Sequence, residues 1–225
     1  MFAREKCEAC GRCVDTCYSG ALVLVGREMT VDEVMKEVLR DKVFYDESGG
    51  GVTLSGGDPL VQHRFSKALL TRCKAEGLNT AIETAANFQW RAMASLLPIT
   101  DLVMMDIKHV DSAKHEKATG SPNTNILENA KCLSKTGKPL IVRVPVIPGV
   151  NDATDEIEAI AKFIQGFPNL QYLELLPFHR LGEGKYEALG LKYAASGLTA
   201  PTKERLRELA SAAKRFGVKV QGYYT

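Results

Sequence analysis

The sequence predicts an α/β fold with a parallel sheet, and three observations carry that prediction. Apolar runs of three to seven residues alternate with amphipathic stretches along the chain. No joining segment carries the short glycine turn that folds neighbouring strands into a hairpin. Runs such as Leu102-Val-Met-Met105 are apolar on both faces, as strands covered by helices are.

Taken in order, Thr30-Val-Asp-Glu33 is a capping box, and Val31, Val34, Met35, Val38 and Leu39 follow it as one helical stripe. Val52 to Leu54 is a short strand running into Ser55-Gly56-Gly57-Asp58-Pro59. Val61, Phe65, Ala68, Leu69 and Cys73 then repeat the helical period until Gly77 stops it. Leu78 to Ile82 reads as a strand, Phe88 to Leu97 as a helix closed by Pro98, and Leu102 to Met105 as the next strand. A helix over Asn125 to Lys135 leads to strand Leu140 to Val146. Ile157, Ile160, Ala161 and Ile164 mark another helix before strand Gln171 to Leu176. Pro201 opens a last helix through Leu206, Leu209 and Ala213 to Gly217, and Val218 to Val220 makes a final short strand.

The bulk properties narrow the function. At 225 residues the chain can bury one substantial core with a small appended unit. A net charge of +2 with dispersed basic residues gives no nucleic-acid or anionic-membrane footprint. No apolar run approaches the ~20 residues of a membrane span and no secretory signal precedes Cys7, so a cytoplasmic location is expected. Four of the six cysteines fall within residues 7 to 17, which argues for metal rather than a disulfide framework.

Cys7, Cys10, Cys13 and Cys17 make C-x2-C-x2-C-x3-C, the spacing with which bacterial ferredoxins hold iron–sulfur clusters. Zinc is the alternative, but zinc sites usually place two ligand pairs a longer span apart. Tyr18 stands where proline usually follows the fourth cysteine, and the second motif of a two-cluster ferredoxin is absent from the sequence.

Ligands of open α/β sheets and barrels bind at the C-terminal ends of the strands. Here the first strand ends on Gly56-Gly57-Asp58 and the next on Glu83-Thr84. Then come Asp106, Lys108 and His109, then Arg143, and lastly His179 and Arg180. Glycines at a strand end let a ligand approach the backbone and let carbonyls point at it. Such a turn suits an amine, to which Asp58 can add a carboxylate. No Gly-Lys-Ser/Thr and no G-x-G-x-x-G suits it to phosphate. Each residue also has a plainer role, as a tight turn, an N-cap, a solvated charge or a surface histidine. Five successive strands ending this way argue for one shared polar site. Cys73 and Cys132 lie on helical faces as core thiols.

Ser55-Gly-Gly-Asp-Pro59, Asp101-Leu-Val-Met-Met-Asp-Ile-Lys-His109, Val142-Arg-Val-Pro-Val-Ile-Pro-Gly-Val-Asn-Asp152 and Leu175-Leu-Pro-Phe-His-Arg-Leu-Gly-Glu-Gly-Lys-Tyr186 together resemble the glycyl-radical-enzyme activating enzymes. These are radical S-adenosylmethionine proteins. The resemblance implies a partial (β/α)6 barrel over residues 27–225, preceded by half of a ferredoxin-like iron–sulfur insert over residues 1–26. It implies reductive cleavage of S-adenosylmethionine to a 5′-deoxyadenosyl radical that takes hydrogen from a backbone glycine of a partner enzyme. A flavodoxin- or ferredoxin-type protein would be the electron donor.

Residue by residue, Gly56, Gly57 and Asp58 match the loop for the methionine amine, Lys108 the partner of its carboxylate, and His179 the histidine beside the nucleoside. Arg143 matches a second polar contact. Glu83, Thr84, the Met104 carbonyl and Asp106 match a monovalent-cation site. Cys7, Cys10, Cys13 and Cys17 match a [4Fe-4S] relay motif. The C-x3-C-x2-C triplet that leaves one iron open for the cofactor is absent from these 225 residues. No catalytic cysteine is therefore assigned, and the expectation is a member lacking its first strand and inactive alone. The alternatives are a non-catalytic or split homologue that binds S-adenosylmethionine or the partner, and a simple electron carrier.

Overall fold

The computed structural model of the protein describes residues 4–222. The outermost three residues of each expected segment, 1–3 and 223–225, lie outside them. The N-terminal segment is a 3-10 turn at Arg4–Lys6 and a single helical turn, α1 (Arg12–Asp15). It continues without regular structure to Thr30, with Val23, Leu24 and Val25 exposed. Thr30 then caps α2 (Val31–Val38): its hydroxyl accepts from Glu33 N at 3.3 Å, and its own N–H donates to Glu33 Oε2 at 2.7 Å.

A helix not foreseen in the sequence, α3 (Lys42–Ser48), leads into β1 (Gly51–Leu54). Strands and helices then alternate: α4 (His63–Ala75), β2 (Asn79–Thr84), α5 (Trp90–Ala94), β3 (Leu102–Asp106), α6 (Ser112–Thr119) and α7 (Thr124–Ser134). They continue through β4 (Leu140–Val146), α8 (Thr154–Ile164), β5 (Leu170–Pro177), α9 (Glu183–Ala188), α10 (Lys203–Lys214) and β6 (Val220–Gln221). The helix expected over Phe88 to Leu97 is shorter, because Pro98 sits in a 3-10 turn at Leu97–Ile99 instead of closing one long helix. Gly77, at φ 76°, ends α4 as expected. Leu78 N reaches back to Cys73 O at 3.0 Å and Gly77 N to Lys74 O at 3.0 Å, which together cap the last turn.

All five strand pairings are parallel and the order in the sheet is β1-β2-β3-β4-β5-β6, so each strand lies beside its neighbour in sequence. That is the order of a barrel wound in one direction. The sheet stays open, with β1 and β6 at its edges. Its main core joins Ile82, Val103, Met105, Val142, Val144, Leu173 and Leu175 of the central strands to Ile157, Ile160, Leu206 and Leu209 of α8 and α10. A second cluster, Met35, Leu69, Cys73 and Leu78, packs α2 onto α4.

At the N-terminal pole, Asp101 accepts from Thr80 N at 2.8 Å and from Lys74 Nζ at 2.8 Å. Burial raises the Asp101 pKa, but the hydrogen bonds from Lys74 and Thr80 outweigh it and hold the carboxyl below its ordinary value. Asp101 opens one of the motifs quoted above, and its work is to latch α4 and β2 at the pole away from the strand ends.

Gly51 permits the contact that starts the sheet. It pairs with Asn79, and a Cβ there would stand 1.9 Å from Asn79 O. Gly51→Ala must push β1 away from β2, and a loss of about 1–3 kcal/mol in urea unfolding is expected. Unfolding at the wild-type midpoint would contradict this packing.

Candidate functional site

Backbone geometry comes first. β1 ends in a turn where Gly56 takes φ 107°, a conformation side chains rarely adopt. A Cβ at Gly57 would meet nothing within 4 Å, so this glycine leaves open space rather than relieving a contact. The turn is one wall of a cleft of about 230 Å³, lined also by Asp58, Glu83, Thr84, Asp106 and Arg143. Residues at the ends of β1, β2 and β3 and Arg143 in the middle of β4 thus share one cavity.

A polar row crosses its floor. Ser55 Oγ donates to Glu83, and Glu83 pairs with the Arg143 guanidinium. Arg143 Nε lies 3.4 Å from Glu174 Oε2 on β5 and is buried without a well-aligned hydrogen bond. In register, Asp106, Arg143 and Glu174 stand side by side on β3, β4 and β5. Lys108 joins the group through Asp106, with Nζ 3.1 Å from Oδ2.

Several expected residues do other work. The Asp58 carboxylate accepts from Thr84 Oγ1 at 2.8 and 2.9 Å, from Ala85 N at 2.9 Å and from Leu60 N at 3.0 Å. Asp58 therefore braces the turn against the end of β2, and the acceptors left for a ligand amine are the turn's carbonyls. The residues expected around a monovalent cation make contacts with one another and with their neighbours. Glu83 is satisfied by Ser55 and Arg143, the Thr84 hydroxyl by Asp58 and Ala86 N, and Asp106 by Lys108. Met104 shares their neighbourhood as the register partner of Glu83.

His179 is exposed on the loop after β5, outside the cleft lining, where its Nδ1 accepts from Leu181 N at 3.4 Å. Arg180 pairs with Glu183. His109 is buried and points elsewhere, with Nδ1 2.8 Å from Glu156 Oε2. Glu174 carries no role in the sequence analysis, nor do Ser55 and Asn151, although both stand in motifs quoted there. Ser55 and Glu174 had a usable signal, as polar residues at and within strand ends already singled out.

The cysteine segment fits an iron–sulfur group by its donors. Four thiols lie within eleven positions, and the backbone between them turns left-handed at Ala9, φ 52°, and Gly11, φ 78°. Cys7, Cys10 and Cys13 are exposed, and among the described residues no three His, Cys, Asp or Glu side chains are gathered around one point. Hydrogen bonding from Arg12 lowers the Cys10 pKa, and the Ser19 hydroxyl lowers that of Cys17, whereas burial raises Cys73. Cys10 and Cys17 should therefore alkylate first with iodoacetamide at mildly alkaline pH and Cys73 last. Peptide mass spectrometry over time checks the order, and early labelling of Cys73 would contradict it.

Most of the chain is similar to known proteins. The model of the Radical SAM superfamily matches residues 9–164. The (2S)-3-sulfopropanediol dehydratase activating enzyme of Klebsiella oxytoca is 43% identical over 192 residues, which are 84% of this chain and 61% of that protein. The pyruvate formate-lyase-activating enzyme of Staphylococcus aureus (strain USA300) is 40% identical over 188 residues, 80% of this chain and 74% of that one. The chain thus spans about three fifths of the first relative's length and three quarters of the second's. A crystal structure of a domain of pyruvate-formate lyase-activating enzyme from Bacteroides vulgatus superposes with a TM-score of 0.65 at 26% identity, covering 77% of this chain and 98% of that one. A radical SAM methyltransferase from Sphaerobacter thermophilus shares the fold, with a TM-score of 0.67 at 15% identity over 91% of this chain and 60% of that one. With its one-way parallel sheet and its polar cleft at the strand ends, the chain belongs to the radical SAM superfamily, and within it to the glycyl-radical-enzyme activating enzymes.

Proposed function

We propose that this chain is the S-adenosylmethionine-binding part of an activase that makes a glycyl radical on a partner enzyme. The observation that carries the reading is the cleft itself. A glycine turn and a half-buried arginine line it, and Lys108 stands beside it through its ion pair with the lining residue Asp106.

A zwitterionic sulfonium needs acceptors for its amine and a cation for its carboxylate. The carbonyls of the Gly56-Gly57 turn supply the first, with Asp58 holding that turn in place. Lys108 supplies the second by exchanging part of its contact with Asp106 for the ligand, and Arg143 offers a further donor. His179, on its exposed loop, would reach the nucleoside from outside. Cys7, Cys10, Cys13 and Cys17 would hold a [4Fe-4S] cluster as a relay. Bound together, the cofactor and a reduced cluster with an open iron supply one-electron cleavage of a carbon–sulfur bond and hydrogen abstraction from a glycine. The partners are then a glycyl radical enzyme and a flavodoxin- or ferredoxin-type donor. No helix among the described residues is long and apolar enough to cross a membrane.

A second reading has a specific observation in its favour. No C-x3-C-x2-C occurs in the 225 residues, so the open-iron cluster would need ligands from outside them. A non-catalytic or split homologue that only binds cofactor or partner would look the same in the cleft.

Both readings expect weak affinity of the 225-residue chain for S-adenosylmethionine, with Kd on the order of 0.1–1 mM, since a few polar contacts must offset the ordering cost. They part on chemistry. With dithionite, the chain should give no 5′-deoxyadenosine. Joined to a segment that supplies the triplet, it should give product if it is an activase and none if it is a binding homologue. Product from the 225-residue chain by itself would move the open iron to Cys7–Cys17 and overturn the division of labour proposed here.

A further inference from the structure

The segment that carries Lys108 is held by three buried polar side chains, none of which lines the cleft. Asn151, almost wholly buried in the loop between β4 and α8, spends its whole carboxamide on this task. Its Nδ2 donates to Lys108 O at 3.0 Å and to Pro145 O at 2.9 Å, and its Oδ1 accepts from Ile147 N at 2.7 Å. Asn123, the residue before α7, donates to His109 O at 2.8 Å. Glu156 on α8 takes the His109 ring at 2.8 Å and also pairs with Lys114. Burial raises the Glu156 pKa, but Lys114 and His109 outweigh it and keep the carboxyl below its ordinary value.

These contacts fix a peptide that the sheet does not. β3 ends at Asp106, and the last bond from this segment to a neighbouring strand is Ile107 N to Arg143 O at 3.0 Å. Beyond it, the Lys108 carbonyl would be a partly buried acceptor with no ladder partner, which costs free energy unless a donor is supplied. Asn151 is that donor, and its second N–H ties the same point to Pro145 in β4. We infer that Asn151 is a positioning residue for Lys108. By clamping the Lys108 peptide to the end of β4 it sets where the side chain starts, and hence keeps the ammonium beside Asp106, which lines the cleft.

The inference rests on the proposal that Lys108 binds the cofactor carboxylate, and a double-mutant cycle separates the two. S-adenosylmethionine is titrated by NMR into the 225-residue chain and into Lys108→Ala, Asn151→Asp and the double variant. Asn151→Asp keeps the shape and the Oδ1 acceptor, removes both donors and sets a carboxylate against two carbonyls. Asn151→Ala is made in parallel, because it removes the donors without adding charge and remains usable if the aspartate variant does not fold.

Asn169→Asp is the control. Asn169 is another buried carboxamide bridging two carbonyls, Leu133 O at 2.9 Å and Lys138 O at 2.6 Å, but at the N-terminal pole of the sheet. Thermal melts should fall for both asparagine positions. Affinity should fall about tenfold for Lys108→Ala and for the Asn151 variants, and stay unchanged for Asn169→Asp. In the Lys108→Ala background, replacing Asn151 should cost less than about a further twofold, because the residue it positions is gone.

Full additivity of the two losses, or wild-type affinity in both Asn151 variants, overturns the inference while leaving Lys108 as a contact. Wild-type affinity in Lys108→Ala overturns the contact itself and the inference with it.

Discussion

One guanidinium holds the candidate site together. Arg143 on β4 pairs with Glu83 on β2, across the intervening β3, and stands beside Glu174 on β5. These side chains are only 17–32% exposed, so they have lost much of their hydration and depend on one another. Without the arginine, Glu83 and Glu174 would lose their shared cation, and Glu83 and Asp106 would face one cleft. Ser55 extends the row to the glycine turn through Glu83, so hydrogen bonds and ion pairs run unbroken from β1 to β5. Each link joins residues far apart in sequence, which is why the row forms only once the sheet has its order and register.

The two poles of the sheet divide the work. At the N-terminal pole, Asp101 ties Lys74 to Thr80, and Asn169 bridges Leu133 O and Lys138 O, so these side chains join helices and loops to the sheet. At the C-terminal pole, Arg143 links Glu83 to Glu174, Lys108 pairs with Asp106, and the cleft opens beside the Gly56-Gly57 turn. The turn holds its shape because the Asp58 carboxylate accepts from Thr84 and Ala85.

How much of this was legible in the sequence follows from what local pattern can encode. The strands and the stripes of α2, α4, α8 and α10 were readable because burial imposes a period on them. So were the Thr30 cap and the Gly77 stop, which rest on one or two residues. The helix α6 escaped because its eight residues, Ser-Ala-Lys-His-Glu-Lys-Ala-Thr, bury only His115 and carry no apolar stripe. The helix α9 escaped for the same reason, having no buried residue. The strand-end residues were readable as a group, since a parallel sheet brings consecutive strand ends together. Their individual roles were not. Asp58 as ligand or brace differs only in what lies 2.9 Å away, and His109 turns to Glu156 although Lys108 beside it pairs with the cleft residue Asp106. Asn151 stands in the quoted Val142 to Asp152 motif, but its role was not legible because its partners, Lys108 O and Pro145 O, are backbone atoms that any sequence supplies.

The central claim is that S-adenosylmethionine is held in the cleft crossed by the Arg143 row. Hydrogen exchange read by mass spectrometry, with and without saturating S-adenosylmethionine, tests it directly on the chain as it stands. Protection should rise in peptides covering residues 54–60, 82–87 and 104–109, and stay unchanged over α10 and in the loop at 136–139. Protection confined to the loop at 149–156, or none anywhere at saturation, would contradict the account.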